Sequence, residues 1–314
     1  MNSQVLQLKK AARRKAYLKM GITAPAGGGK TAGSLLLAFG LMKEKYPNLS
    51  DEKVWEKIAV IDTENGSGEL YVNSVIANTK IGEYNAITLT APFNADKYIN
   101  AIEICESNGI EVVIVDSTTH LWAGEGGLLE KQNTVATKSK SGNSYTAWRE
   151  VTPDHNKFVD KMLQCNMHLI ATMRSKMEYV QEKDEHGNSR VRKLGLKPVQ
   201  REGMEYEFTV FLDIDDNHTA VASKDRTGLL DGKTFKINPQ VGRDLMNWLD
   251  SGSDEAPVVL ADNRTLADVK REVAQLVKSN PEKDYKGLVF EKYGNPNDLG
   301  LEKLKVVLDE MKKV

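Results

Sequence analysis

Ala24-Pro25-Ala26-Gly27-Gly28-Gly29-Lys30-Thr31 is the stretch on which the rest of the chain is read. A small residue, four spacers and then Gly-Lys-Thr is the spacing of a phosphate-binding loop. Amides with no side chains in the way curl into a nest of N–H donors. The backbone of Ala26, Gly27, Gly28, Gly29, Lys30, Thr31 and Ala32 is therefore expected to cradle the phosphates of a nucleotide. Lys30 brings a cation to the terminal phosphates, and the Thr31 hydroxyl is a Mg²⁺ ligand, so ATP and Mg²⁺ are the expected cofactors. The flanks agree. Residues 18–23 read as a short strand, and 31–45 as a helix whose positive N-terminal end points at the phosphates. The first position is Ala24 rather than Gly, which costs some backbone freedom.

Outward from the loop, strand and helix alternate. Lys57–Asp62 is a buried-strand run, Ala86–Thr90 a third strand, and Tyr98, Ala101, Ile102 and Cys105 recur at helical spacing. Val112–Asp116 is the continuous apolar run of a strand covered on both faces. Thr152-Pro153 reads as the cap and first turn of a helix leading to a strand at His168–Met173. Two more strands, 208–214 and 218–224, read as an antiparallel pair at the sheet's edge. The expected class is α/β, with a doubly wound, mostly parallel sheet flanked by helices to about residue 250. Residues 251–262 read as a linker, and 263–314 as a small helical extension opened by the capping box Thr265-Leu266-Ala267-Asp268.

With 40% hydrophobic and 28% charged residues among 314, the composition is that of a soluble globular protein, with no apolar run long enough for a membrane span. The N-terminus is basic and then apolar, but Lys19 interrupts the apolar part and the first strand already uses it, so it is not read as a secretion signal. Cys105 and Cys165, on apolar helix faces, suit core packing in a reducing cytoplasm; the five histidines have no metal-ligand spacing. Net charge is −1, yet residues 1–20, 131–149 and 188–201 hold six, four and five basic groups with no acid. Local potential, not net charge, draws a polyanion. Lys138 and Lys140 in the second run, and Arg190, Arg192, Lys193 and Lys197 in the third, are the candidate nucleic-acid contacts.

In sheets of this class the ligand lies beyond the carboxyl ends of the strands. Asp116 ends the longest apolar strand, where a Mg²⁺-organising carboxylate belongs, and Glu64 stands two residues past the second strand, in reach of a water near the γ-phosphate. Arg174, or Thr172, ends a further strand and is placed to sense that phosphate. Lys224 and Arg226 close a late strand as a cation pair, suited to a neighbouring subunit's nucleotide.

These residues resemble the phage-encoded RecA-type ATPases, the small single-strand-annealing recombinase group with a stripped RecA/RadA core. The likeness runs from about Tyr17 to Asp250. It is carried by Val60-Ile61-Asp62-Thr63-Glu64, Val115-Asp116-Ser117, Ala171–Lys176, Gln200–Phe208 and Lys224-Asp225-Arg226. The resemblance implies a RecA-like fold, Glu64 activating water, Asp116 organising Mg²⁺, and Lys224 and Arg226 acting across a subunit interface. It also implies two DNA-facing loops, here about 124–147 and 177–204, where two of the acid-free runs were found independently. The segment before the first strand is short for a protomer-linking module, and Glu178, Glu182, Asp184 and Glu185 give the second loop an acidic start.

The expectation is an ATP-dependent, single-stranded-DNA-binding recombination protein. It would be a homo-oligomer with nucleotide at its subunit interfaces, in a bacterial host's cytoplasm, with a single-strand-binding protein as a further partner. A replication ATPase (helicase or helicase loader) and a nucleotide-gated DNA scaffold with little turnover are the alternatives. DNA contact would be electrostatic and salt-sensitive, with Trp122, Tyr145, Trp148 and Tyr179 available for base stacking.

Overall fold

A computed structural model describes residues 11–138, 144–183, 189–253 and 264–313, with backbone alone over 179–195. The chain divides into two compact units, the larger spanning Arg13–Asp254. Its first half runs β1 (Lys19–Ala24), α1 (Lys30–Lys45), α2 (Asp51–Trp55), β2 (Ile58–Asp62), β3 (Val75–Ile76), β4 (Thr79–Lys80), β5 (Asn85–Thr88), α3 (Ala95–Ser107) and β6 (Val112–Asp116). The second half continues with α4 (Thr119–Ala123), α5 (Leu128–Lys138), α6 (Ser144–Gln164), β7 (His168–Lys183), β8 (Ser189–Pro198), β9 (Val210–Ile214), β10 (Ala220–Asp225), β11 (Thr234–Phe235) and α7 (Pro239–Asp250).

The main sheet has the order β11-β10-β9-β1-β7-β6-β2-β5, with β8 bonded to β7. From β9 to β5 neighbours are parallel; β10 and β11 close one side antiparallel. Parallel neighbours need crossovers, and these put helices on both faces. Side-chain alternation sorts the core accordingly. Met20, Ile22, Ile58, Val60, Val112 and Ile114 face a layer containing α1 and α7. Ala59, Ile61, Val113, Val115, Leu169 and Ala171 face one containing α3 and α6. The expected doubly wound α/β architecture is what the chain adopts. Helices α1 and α7 approach so closely that a Cβ on Gly40 would stand 2.0 Å from the Pro239 carbonyl oxygen, and one on Gly242 2.3 Å from that of Leu37. That contact seats α1, and with it the loop at its N-terminus.

Four elements differ from expectation, the first being the segment 124–147, expected as a loop, which holds helix α5 and the start of α6. The helix read as starting at Thr152-Pro153 starts at Ser144, and Pro153 lies inside α6. Proline removes one helical hydrogen bond, but the buried face of Ala147, Val151, Phe158 and Met162 continues at helical spacing on both sides of it. Cys165 falls just past this helix; it and Cys105 are buried and unpaired. The segment 177–204, expected as a loop, is largely a β-hairpin in which β7 runs on to Lys183 and β8 returns antiparallel. Its register sets Glu182 opposite Arg190, so the acidic first half and the basic second half of the segment are cross-strand neighbours. The two-residue strands β3 and β4 form a small antiparallel ribbon that periodicity could not show.

The smaller unit holds α8 (Leu266–Ser279), α9 (Glu291–Tyr293) and α10 (Leu301–Lys313). Thr265 and Asp268 form the capping box at the start of α8. Val269, Val273, Tyr285, Val289, Leu304, Val307, Leu308 and Met311 make a core of its own. The stretches 1–10 and 254–263, which take in most of the basic N-terminal segment and of the linker, lie outside the described residues. Among the described residues, no helix is long and apolar enough to cross a membrane.

Candidate nucleotide site

Between β1 and α1 the backbone needs residues without side chains. Gly27 (φ 76°) and Gly29 (φ 90°) lie in the left-handed region, and the Gly28 N–H donates to the Pro25 carbonyl at 3.1 Å. A Cβ on Gly28 would stand 2.8 Å from that of Ala24, whereas one on Gly27 would meet nothing within 4 Å. Open space above a turn that ends in a helix N-terminus is what a phosphate requires. Lys30, 8% exposed, lies along the loop with its Nζ donating to the Ala24 and Pro25 carbonyls at 3.2 and 3.0 Å. Burial lowers its pKa, opposed by the carboxylates of Asp116 and Glu64.

The strand ends bring the acids to this loop. The Thr31 hydroxyl donates to Oδ2 of Asp116, and the Thr172 hydroxyl donates to Oδ1 at 2.5 Å. Asp116 is buried; desolvation pushes its carboxyl upward while the two hydroxyls pull the other way. The β2–β6 register sets Asp62 level with Asp116. Buried Asp62 accepts from the Glu64 N–H and, at 3.5 Å, from that of Gly68. Those bonds fold the turn that carries Glu64. Thr63 ties the two strands together, its N–H donating to the Asp116 carbonyl at 2.8 Å and its Oγ1 accepting from the Ser117 N–H at 2.9 Å. Thr63 Oγ1 also lies 2.7 Å from Nδ1 of His120, whose ring stacks on Phe93 at 5.0 Å. Burial, then the Arg174 cation, lower the His120 pKa. Arg174 donates from Nε and Nη2 to Oε1 of Glu64 at 3.0 and 2.9 Å. An open cleft of about 390 Å³ is lined by Thr63, Glu64, Asn65, Phe93, His120 and Arg174.

The donor set fits the expected ligands: a glycine cradle with free space above it, a lysine beside it, and a hydroxyl–carboxylate oxygen pair of the hardness Mg²⁺ prefers. Lys30, Thr31, Glu64, Asp116 and Arg174 are thus brought together.

Lys224 and Arg226 are not. β10 runs antiparallel to β9, which is parallel to β1, so β10 finishes at the opposite end of the strands from the loop. The Arg226 N–H donates to the Thr209 carbonyl and the Thr209 N–H to that of Lys19, five residues before Ala24. That places Arg226 about 16 Å back along the strands. Lys224 donates to the Tyr206 carbonyl there, and its pKa is lowered by burial and then by Arg226. Of the nucleic-acid candidates, Lys138 is exposed as the last residue of α5. Lys197 is paired with Glu178 at 3.2 Å and Glu202 at 3.4 Å. Arg190, Arg192 and Lys193 stand in the backbone of β8, their side chains outside the described part, and Lys140 lies outside the described residues.

Two residues escaped the sequence reading. One is Asp62, whose local signal is its position as the last residue of a buried strand. The other is His218, one of five histidines without metal-ligand spacing. It sits in the β9–β10 turn with φ 61°, its N–H donating to the Asp215 carbonyl at 3.1 Å. Its Nδ1 lies 3.2 Å from where a Cβ on Gly29 would stand. A strand parallel to β1 followed by a tight turn necessarily delivers that turn to the loop end of the sheet.

A family model described as "AAA domain" matches residues 16–247, from just before β1 into α7. No curated protein matches the chain. Among solved structures the chain is similar to a KaiC-like protein from the hyperthermophilic archaeon Pyrococcus horikoshii OT3. That match has 12% identity and a TM-score of 0.36, covering 75% of this chain and 97% of that one. The family match takes in the loop, every strand of the main sheet and all the strand-end residues, so the chain belongs to the AAA-domain family and is a P-loop ATPase.

Proposed function

We propose that this ATPase is a single-stranded-DNA-binding recombination protein that promotes annealing or pairing of strands. In this reading bound ATP holds an oligomer on DNA and hydrolysis releases it. The observation that supports the oligomer is the placement of Lys224 and Arg226, about 10 and 16 Å back along the strands from the chain's own loop. In this reading they serve a nucleotide held by a neighbour. The DNA assignment is supported by the acid-free basic runs and by the resemblance of the strand-end motifs to the single-strand-annealing group. A bacterial cytoplasm, phage origin and a single-strand-binding protein as partner belong to the same reading.

Within the site, Glu64 takes a proton from the water that attacks the γ-phosphate, and Asp62 holds the turn that aims it. Lys30 and Arg174 set positive charge beside the transferring group, and the loop amides fix the phosphates. Mg²⁺, held by Thr31 and through Asp116, supplies further charge neutralisation when bound.

Phosphate release measured with and without an oligonucleotide, alongside annealing of complementary strands, tests the proposal. Turnover that rises several-fold with single strands, together with faster annealing, is the expected result. Turnover indifferent to DNA and no annealing would contradict it; duplex unwinding would assign the ATPase to replication, and DNA binding gated by nucleotide without turnover would make it a scaffold.

A further inference from the structure

Away from the nucleotide site, α6 presents a polar and aromatic stripe. Tyr145, Trp148, Arg149, Asn156, Lys157 and Asp160 recur at helical spacing over about 22 Å of helix. Trp122, at the end of α4, stacks on Trp148 with centroids 5.5 Å apart and planes 15° apart. Arg201 approaches from β8's far end, its guanidinium carbon 5.9 Å from the Trp148 ring centroid. The result is an open groove of about 1020 Å³. Both tryptophans remain partly exposed, and Arg149 and Lys157 are exposed.

The lining restricts the occupant. A groove for an apolar helix would be lined by aliphatic side chains, but this one offers rings, three cations and small polar groups, with Pro153 its sole aliphatic member. Asp160 and Glu202 also line it, so cations outnumber acids. Flat rings beside guanidinium and ammonium groups match a polyanion whose bases are unpaired and free to stack. Arg201 is held in place: its N–H donates to Oε1 of Gln200 at 2.8 Å, and Gln200 Nε2 donates to the Thr118 carbonyl at 3.1 Å. Thr118 stands two residues past Asp116.

We propose that this groove is a binding site for single-stranded nucleic acid, with bases stacked on the Trp122–Trp148 pair and phosphates neutralised by Arg149, Lys157 and Arg201. The inference rests on the single-strand reading above, and centres the contact on α6, where Arg149 and Arg201 bring the ends of two basic runs together with Lys157.

The test titrates the full chain with oligo(dT), following tryptophan fluorescence and the salt dependence of affinity, and compares R149E/K157E and W148A with a charge-reversed hairpin variant, K197E. Circular dichroism melting checks that each variant folds. The wild type should bind with quenching, and W148A should bind on the order of 10- to 100-fold more weakly. R149E/K157E should lower the magnitude of the salt slope by about 1.4, the loss of two phosphate contacts on a single strand. If the wild type binds and both groove variants keep its affinity and slope while K197E does not, the groove is wrong and the single-strand reading survives. No binding by the wild type would remove both. Altered oligomeric state in W148A with DNA affinity intact would make the groove a subunit contact and overturn the proposal.

Discussion

Arg174 grips Glu64: its Nε and Nη2 both donate to the same carboxylate oxygen, at 3.0 and 2.9 Å. The pair is partly exposed, so it adds little to stability. Its consequence is positional. The carboxylate assigned to the attacking water and the cation assigned to the γ-phosphate share one cleft, and a bound triphosphate competes with Glu64 for Arg174. Replacing Arg174 with alanine is expected to lower turnover by about 10²-fold, the effect of removing one preorganised donor. Nucleotide affinity should change far less. Steady-state phosphate release beside fluorescent-nucleotide titration separates the two quantities, and wild-type turnover in R174A would refute the assignment.

Gly29 carries two constraints at once, a left-handed φ of 90° and the nearby His218 ring. Gly29→Ala therefore costs about 1–2 kcal/mol in backbone conformation and forces the ring to give way. Nucleotide affinity should fall at least tenfold with only a small shift in the unfolding midpoint. An alanine variant that binds nucleotide like the wild type would show that the loop does not need this turn.

His168 gives the fold an acid sensitivity. Its Nδ1 accepts from the Leu18 N–H at 3.0 Å, and burial, aided by the Lys45 and Lys19 cations, lowers its pKa to about 3. In the unfolded chain a histidine titrates near 6.5. Between those values the unfolded state binds a proton that the folded state refuses. Stability from this group is complete above pH 6.5 and falls as pH drops toward 3, by up to about 1.4 kcal/mol per pH unit. Urea unfolding at pH 7.5 and 5 should show His168→Asn with a smaller loss on acidification than the wild type; equal losses would contradict this.

Much of this site is legible in the sequence, because the loop and the strand-end residues are local signals. A run such as Val112–Asp116 names its own strand, its burial and the acid at its tip, and the phosphate loop names its helix. What could not be read depends on pairing. Nothing local shows that Glu182 lies across from Arg190, so the hairpin looked like a loop with an acidic start. Asp62 gains its role from its bond to the Glu64 N–H and its register with Asp116, and His218 from the direction of β9 beside β1. Pro153 misled for the opposite reason: its local meaning was outweighed by the buried face continuing through it.

The placement of Lys224 and Arg226 at the far end of the strands makes a complementation prediction. A K224A/R226A variant keeps an intact Glu64, and an E64Q variant keeps both cations. Mixed, they should form interfaces with a complete site and recover part of the wild-type turnover, although each alone is inactive. A mixture as inactive as its components would place the cations outside the reaction.

The central claim is that a triphosphate in the glycine cradle is hydrolysed by a water facing Glu64. The most direct measurement is Glu64→Gln, assayed in parallel for ATP binding and for phosphate release. Binding should persist within a few-fold of the wild type while turnover falls by about 10²- to 10⁴-fold, the contribution of a general base. Turnover retained at the wild-type rate, or an absence of nucleotide binding in the wild-type chain itself, would contradict the account.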